Sequence, residues 1–293
     1  MTLFPFCSRR PDGFNLWARR GSRAKLSAGQ SMSNALLALV LLDRPATPDM
    51  SAVARILRER HPDLATGPNE DGGVRQAKAN SPLIHCGNEL VAVMSMPAPI
   101  PEDTGLWARA ARTWPESKAA ATRHRGHLIV SMVGKNERPL VAARVTTAVI
   151  GALIAAMPEC CGVVWAGQVA RPSDLWRDMS SRSFAPFPDY PFTLWVDILP
   201  FQSDGKIGAI TVGLSSFVGR EIEFRTGKLT LPALIDKVAG LSVYLIEHGN
   251  VVKDGDTIGA NEDERIAVRY RNSEVFGELP VFSCTDDFAR SSQ

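Results

Sequence analysis

A chain of 293 residues is long enough for one large core or two joined ones, since single cores stop growing at roughly 250 to 300 residues. Its 45% hydrophobic and 22% charged content is that of a folding globular sequence. Thirty-three basic residues against thirty-one acidic ones leave a net charge of +2, too weak a field to draw in nucleic acid or an anionic membrane.

The one charge asymmetry lies at the start. Residues 1–30 carry Arg9, Arg10, Arg19, Arg20, Arg23 and Lys25 against Asp12 alone, without apolar periodicity, and this predicts a basic, poorly ordered arm over residues 1–31. Arg9-Arg10 lacks the uninterrupted apolar stretch of about 7 to 15 residues that an export signal needs. An organelle transit peptide and a dispensable extension ahead of a second start at Met32 both stay open. Val141 to Met157, the most apolar stretch, is interrupted by Arg144, Thr146 and Thr147 and falls short of the about 20 residues that span a bilayer, so it reads as a buried helix. The cysteines, Cys7, Cys86, Cys160, Cys161 and Cys284, are odd in number and lack metal-clip spacing. They read as reduced thiols in a soluble cytoplasmic protein.

In chain order, Ala35 to Leu42 is a short apolar run that predicts a buried strand. Thr47-Pro48 supplies a helix cap, and Met50, Val53, Ala54, Ile56 and Leu57 give one apolar face up to His61-Pro62. After a loop from Asp63 to about Ser81, Pro82 to Cys86 and Glu89 to Met96 flank Gly87-Asn88 and predict a hairpin. A helix from Asp103 or Thr104 to about Thr113, a further turn from Glu116 to Arg123 and a strand from His127 to Val133 complete the first half. Strand, helix, strand, strand, helix, strand is the split βαβ order of a ferredoxin-like sheet.

The second half predicts helix Pro139 to Met157, strand Gly162 to Ala166 and helix Ser173 to Met179. A Pro-rich loop then leads to a hairpin of Thr193 to Phe201 and Ile207 to Leu214 around Ser203-Asp204-Gly205. Helix Leu231 to Glu247, ended by Gly249, and short strands near Asp256 to Gly259 and Arg265 to Tyr270 close the body. The expected architecture is α+β: two ferredoxin-like halves with mixed antiparallel sheets packed together, at 32–135 and 136–272, followed by a tail at 273–293.

Leu194-Trp195-Val196-Asp197, the helix Leu231 to Glu247, and Val252-Lys253-Asp254-Gly255-Asp256-Thr257-Ile258-Gly259 followed by Glu262, Glu264 and Arg265 together resemble a bacterial family known as domain of unknown function 4261. Met96 to Pro101, His124 to Val130 and Val164-Trp165-Ala166-Gly167 are similar to segments seen ahead of that domain. The resemblance places the domain at about 193–266 and implies no activity that transfers to particular residues.

Several groups are candidates for a site. Asp254 and Asp256 around Gly255 could ligate a hard cation, but the further ligands of a calcium loop are absent, and a tight turn with Asp side chains bonding local amides is the simpler reading. His124 and His127 could act in acid-base chemistry, and Arg123, His124 and Arg125 could capture an anion; Gly126 interrupts the helical face that a metal pair would need, and helix-end cations facing the macrodipole, with His127 opening a strand, are the simpler reading. Trp165 and Trp195 beside Asp197 could floor a ligand pocket, or simply pack. No metal or cofactor is expected, and no Walker loop, G-x-G-x-x-G, G-x-S-x-G, H-E-x-x-H or kinase set occurs. The sequence thus predicts a non-catalytic cytoplasmic binding or protein-interaction module with a protein or small-molecule partner, not a membrane or a nucleic acid. The alternative is a hydrolase-type enzyme assembled from distant groups such as His124, His127 and Asp197.

Overall fold

The computed structural model describes residues 37–64, 74–76, 82–86, 88–134, 138–259 and 264–286. The basic arm at 1–31, Cys7, most of the loop after Leu64 and residues 287–293 lie outside these. A first sheet is built from β1 (Leu37–Leu42), β2 (Val74–Gln76), β3 (Pro82–Cys86), β4 (Glu89–Met96), β5 (Gly126–Met132), β6 (Cys160–Trp165) and β7 (Val169–Pro172). Its helices are α1 (Met50–Arg60), α2 (Thr104–Ala110), α3 (Ser117–Arg123), α4 (Pro139–Ala156) and α5 (Ser173–Met179). The second sheet holds β8 (Asp197–Ser203), β9 (Lys206–Val212), β10 (Glu221–Thr226), β11 (Thr257–Ile258), β12 (Ile266–Asn272) and β13 (Pro280–Thr285), with α6 (Ser215–Val218) and α7 (Leu231–His248).

The architecture is α+β with two sheets, but the strand order departs from the expected one. The first sheet runs β2-β3-β4-β5-β1-β6-β7, antiparallel throughout. A split βαβ sheet would seat β1 between β4 and β5. Here the α2–α3 excursion returns to the strand it left, so β5 pairs with β4 on one side and β1 on the other. β6 and β7, which follow residue 136, also join this sheet through β1. The second sheet runs β11-β12-β13-β10-β9-β8, with one parallel pair, β10 and β13. The segment read as a tail therefore supplies an interior strand. Two local details shift as well: Asp49, not Thr47, caps α1 by accepting from Ser51 N at 2.9 Å and Ala52 N at 3.2 Å, and β8 starts at Asp197 after a 3-10 turn at Phe192–Leu194.

One face of the first sheet packs on α1, α4 and α5, while α7 lies on the second sheet and touches α4. Twelve of the eighteen residues of α4 are buried, because this helix has neighbours all round; its apolar circumference is that of a core helix. Among the described residues it is the one helix long and apolar enough to cross a membrane, with mean hydropathy 1.8, yet 67% of it is buried inside the fold. Between the layers runs an aromatic chain: Trp176 to Trp165 at 5.9 Å, Trp165 to Trp195 at 6.1 Å, and Trp195 to Tyr190 and Phe217 at 5.7 Å each. The Trp195 indole N–H donates to Thr147 Oγ1 on α4 at 2.8 Å, which fixes the ring against the first layer.

The turn from β9 into α6 is organised around one carboxylate. Glu221, 1% exposed, accepts from Thr211 Oγ1 (2.6 Å), Gly213 N (2.9 Å), Leu214 N (3.1 Å) and Ser215 N (3.0 Å). Gly213 makes this cradle possible, since its φ is +105° and an added Cβ would lie 2.2 Å from Trp195 O. Replacing Glu221 with Ala strands four donors, three of them buried, and we expect a loss of at least about 3 kcal/mol, each abandoned buried donor costing about 1–3 kcal/mol before relaxation. Urea denaturation of the variant checks this; a midpoint within error of wild type would show the cradle to be dispensable.

Candidate functional site

The sequence candidates occupy separate places, each already engaged. His124, buried at the end of α3, receives Ile100 N–H at Nε2 (2.9 Å), and its Nδ1 lies 3.1 Å from Ala120 O. Both ring nitrogens are thus committed to backbone. His127, on β5, holds Ala98 O with Nδ1 at 2.8 Å. The two histidines pin the Pro97–Pro101 loop to the sheet. Arg123 is exposed and pairs with Asp43 at 2.8 Å, beyond the strand end of β1.

Asp197, on β8, meets Arg171, on β7, in a forked contact: Nη2 to Oδ1 at 2.9 Å and Nη1 to Oδ2 at 3.4 Å. The same guanidinium donates to Thr193 O and to Thr113 Oγ1, so one side chain joins the first sheet, the second sheet and the α2–α3 connection. Arg171 carried no signal of this in the sequence, where Val-Ala-Arg-Pro looks like a turn. Trp165 and Trp195 are fully buried in the aromatic chain, so they form core and present no ring face as the floor of a pocket.

Asp254 and Asp256 shape the turn before β11. Asp254 Oδ1 accepts from Tyr270 N at 2.8 Å, Asp256 Oδ2 from Lys253 N at 2.7 Å, and Gly255 has a φ of +86°. Their carboxylates serve local amides. Among the described residues no group of three or more His, Cys, Asp or Glu is placed to hold a metal ion. Nor does any hydrogen bond join one of the candidate histidines to a candidate carboxylate among the described residues. Burial pushes the Cys86, Cys160, Cys161 and Cys284 thiols up to about 12, which keeps them protonated and poor nucleophiles.

What the structure leaves open is a surface. On the face of the first sheet turned away from α1 and α4, Met94, Ile129, Leu39, Val164 and Ala170 stand in one row across β4, β5, β1, β6 and β7. Helices α2 and α3 roof the far end of the row, burying Val164 and Ala170 under Leu106, Trp107 and Trp114. The roof stops near β1. Leu39 and Ile129 are half-buried, Met94 is 42% exposed, and the neighbouring rows add half-buried Leu37 and Ala92 and, at 36% exposure, Met96. This strip of aliphatic and methionine side chains was not singled out in the sequence, because β4 alternates only weakly and its open face is itself apolar.

A second feature outside the candidate list is His61, at the end of α1. Its ring is buried edge-on against Phe184 at 5.3 Å, and Nε2 has no partner among the described residues. Burial, then the adjacent Arg60 guanidinium, holds its pKa below the ordinary value.

Residues 210–282, about a quarter of the chain, match the family described as Domain of unknown function (DUF4261). The match starts inside β9 and ends inside β13, later at both ends than the 193–266 expected from the resemblance. It contains the Glu221 cradle and the Asp254–Asp256 turn. Neither the curated proteins nor the solved structures include a match to the chain.

Two outcomes test this account of the polar groups. Asp197→Ala leaves the mostly buried Arg171 without its counter-ion and is expected to cost about 3–5 kcal/mol, whereas Arg171→Met combined with Asp197→Leu recovers most of that loss. A thermodynamic cycle in urea measures both, and additive effects would show that the pair is not coupled. For His61, the unfolded ring protonates near pH 6.5 and the folded one only lower, so its contribution is complete above about pH 6.5 and declines as pH falls below it. Stability followed from pH 7.5 to 5 should therefore show a shallower acid decline in His61→Gln than in wild type; equal slopes would place the pH sensitivity elsewhere.

Proposed function

We propose that the chain is a non-catalytic binding module that takes a short apolar segment of a partner protein on the open strip of its first sheet. The observation that carries this reading is the half-roofed row from Ala170 to Met94, apolar along its whole length but covered by α2 and α3 only over β6, β7 and part of β1. With strands about 4.8 Å apart and residues rising about 3.3 Å, the stretch from β3 to β1 by Ala92 to Met96 is about 14 by 13 Å. A helix with its side chains is about 10 Å across, so one short amphipathic helix fits beside α2 and α3 and extends their roof. A whole domain does not, because stable interfaces bury about 800 Å² per partner. Two methionines on the open side suit such a role, since their unbranched side chains adapt to differing apolar partners.

The hydrolase alternative needs a histidine and a carboxylate in one cavity, whereas His124 and His127 both bond the Pro97–Pro101 loop and Asp197 is held by Arg171 on β7. A cytoplasmic setting is supported by Cys86, Cys160, Cys161 and Cys284, which are free thiols.

Selection from a displayed library of random 16-residue peptides tests the binding reading. Wild type should enrich amphipathic sequences, and Met94→Glu with Met96→Glu should weaken the selected peptides at least tenfold while leaving the urea midpoint in place. Peptides that bind both proteins equally, or no enrichment at all, would sink the assignment of this strip.

A further inference from the structure

We propose that residues 1–36 of the chain itself occupy the open strip, as a tethered competitor of the partner segment; the inference rests on the strip being a binding surface. Three observations point to this occupant. Leu37 is the first residue of β1, and its side chain lies on the strip's face in the row of Ser131 and Ala92. Residue 36 is therefore attached at the rim of the surface. The preceding sequence offers the apolar anchors that the strip would bury: Phe4 and Phe6, then Phe14, Leu16 and Trp17.

The third observation is one of scale. A strip of roughly 14 by 13 Å falls well below the area of about 800 Å² per partner that holds two free proteins together, which disfavours a second copy of the chain. A tethered segment does not need that area. Nineteen residues lie between Trp17 and Leu37. The random-coil span of that many residues is about 25 Å, which presents the anchors at a millimolar effective concentration. Weak apolar contact is then enough for occupancy, and a partner segment has to displace the arm to bind. The six cations of this segment are costly to bury, which leaves its apolar anchors as the part suited to the strip.

Methionine oxidation reads this contact directly, since the sulfoxide forms only where peroxide reaches the thioether. Met94 and Met96 report the strip, and buried Met50 reports the fold. The full chain and a chain starting at Met32 are treated with dilute hydrogen peroxide and followed by peptide mass spectrometry. Met94 and Met96 should oxidise at least threefold faster in the shortened chain, with Met50 unchanged. Phe14→Ser with Trp17→Ser in the full-length chain should give the same acceleration, which guards against an effect of truncation on folding. Equal rates in all three proteins would overturn the inference, and so would protection that grows with protein concentration, since that assigns the cover to a second copy. Either result leaves the peptide-binding reading intact. Conversely, protection by the arm in a protein that enriches no peptide would sustain this contact and remove the partner.

Discussion

Everything in this protein hangs on how two sheets of different build are held face to layer without a separate linker. The joint is made twice. In the interior, the aromatic chain from Trp176 through Trp165 to Trp195 and Phe217 carries apolar contact from β6 to α6, and Thr147 on α4 fixes its middle by receiving the Trp195 N–H. At the margin, Arg171 ties the edge strand β7 to the edge strand β8 through Asp197. The first contact supplies burial, which is non-directional. The second supplies direction, because a planar guanidinium satisfies its partner in few orientations.

That division explains why the polar residues read as a possible active site turn out to be fasteners. Two sheets and seven helices among the described residues bury backbone ends at every junction, and each must find a partner. His124 and His127 close one such junction, Asp254 and Asp256 another, and Glu221 a third. The side chains best suited to catalysis are also those best suited to this work. The strip of Leu, Ile and Met side chains that α2 and α3 leave uncovered serves no such junction.

The sequence was most legible where a local rule decides. Proline at the start of α4 and α7, glycine after α7, and Gly87-Asn88 and Asp204-Gly205 between β-branched runs fix elements that agree with the structure. It was least legible where a charged residue is buried by partners far along the chain. In β7 the charge is Arg171; in β10 it is Glu221 and Glu223, both buried, the latter held by Arg225 and Ser273. Such strands look like surface turns until their partners are known. β13 failed differently: Val281 and Phe282 are both buried on opposite faces, so the strand shows no alternation. Strand order was beyond any local rule, since the return of β5 to β4 depends on where α2 and α3 pack.

The position of β13 has a consequence for how the chain is assembled. It is the last described strand to be synthesised, yet it lies in the middle of its sheet, antiparallel to β12 and parallel to β10. Until it arrives, β8-β9-β10 and β11-β12 are two fragments with open edges, and joining Glu221 to Val281 closes a loop of sixty residues. Part of the entropic cost of that closure is met by α7, which lies inside the loop and packs on β8, β9 and β10. Without β13 the facing edges of β10 and β12 are both unpaired and prone to pair wrongly, and its insertion joins the two fragments into one six-stranded sheet.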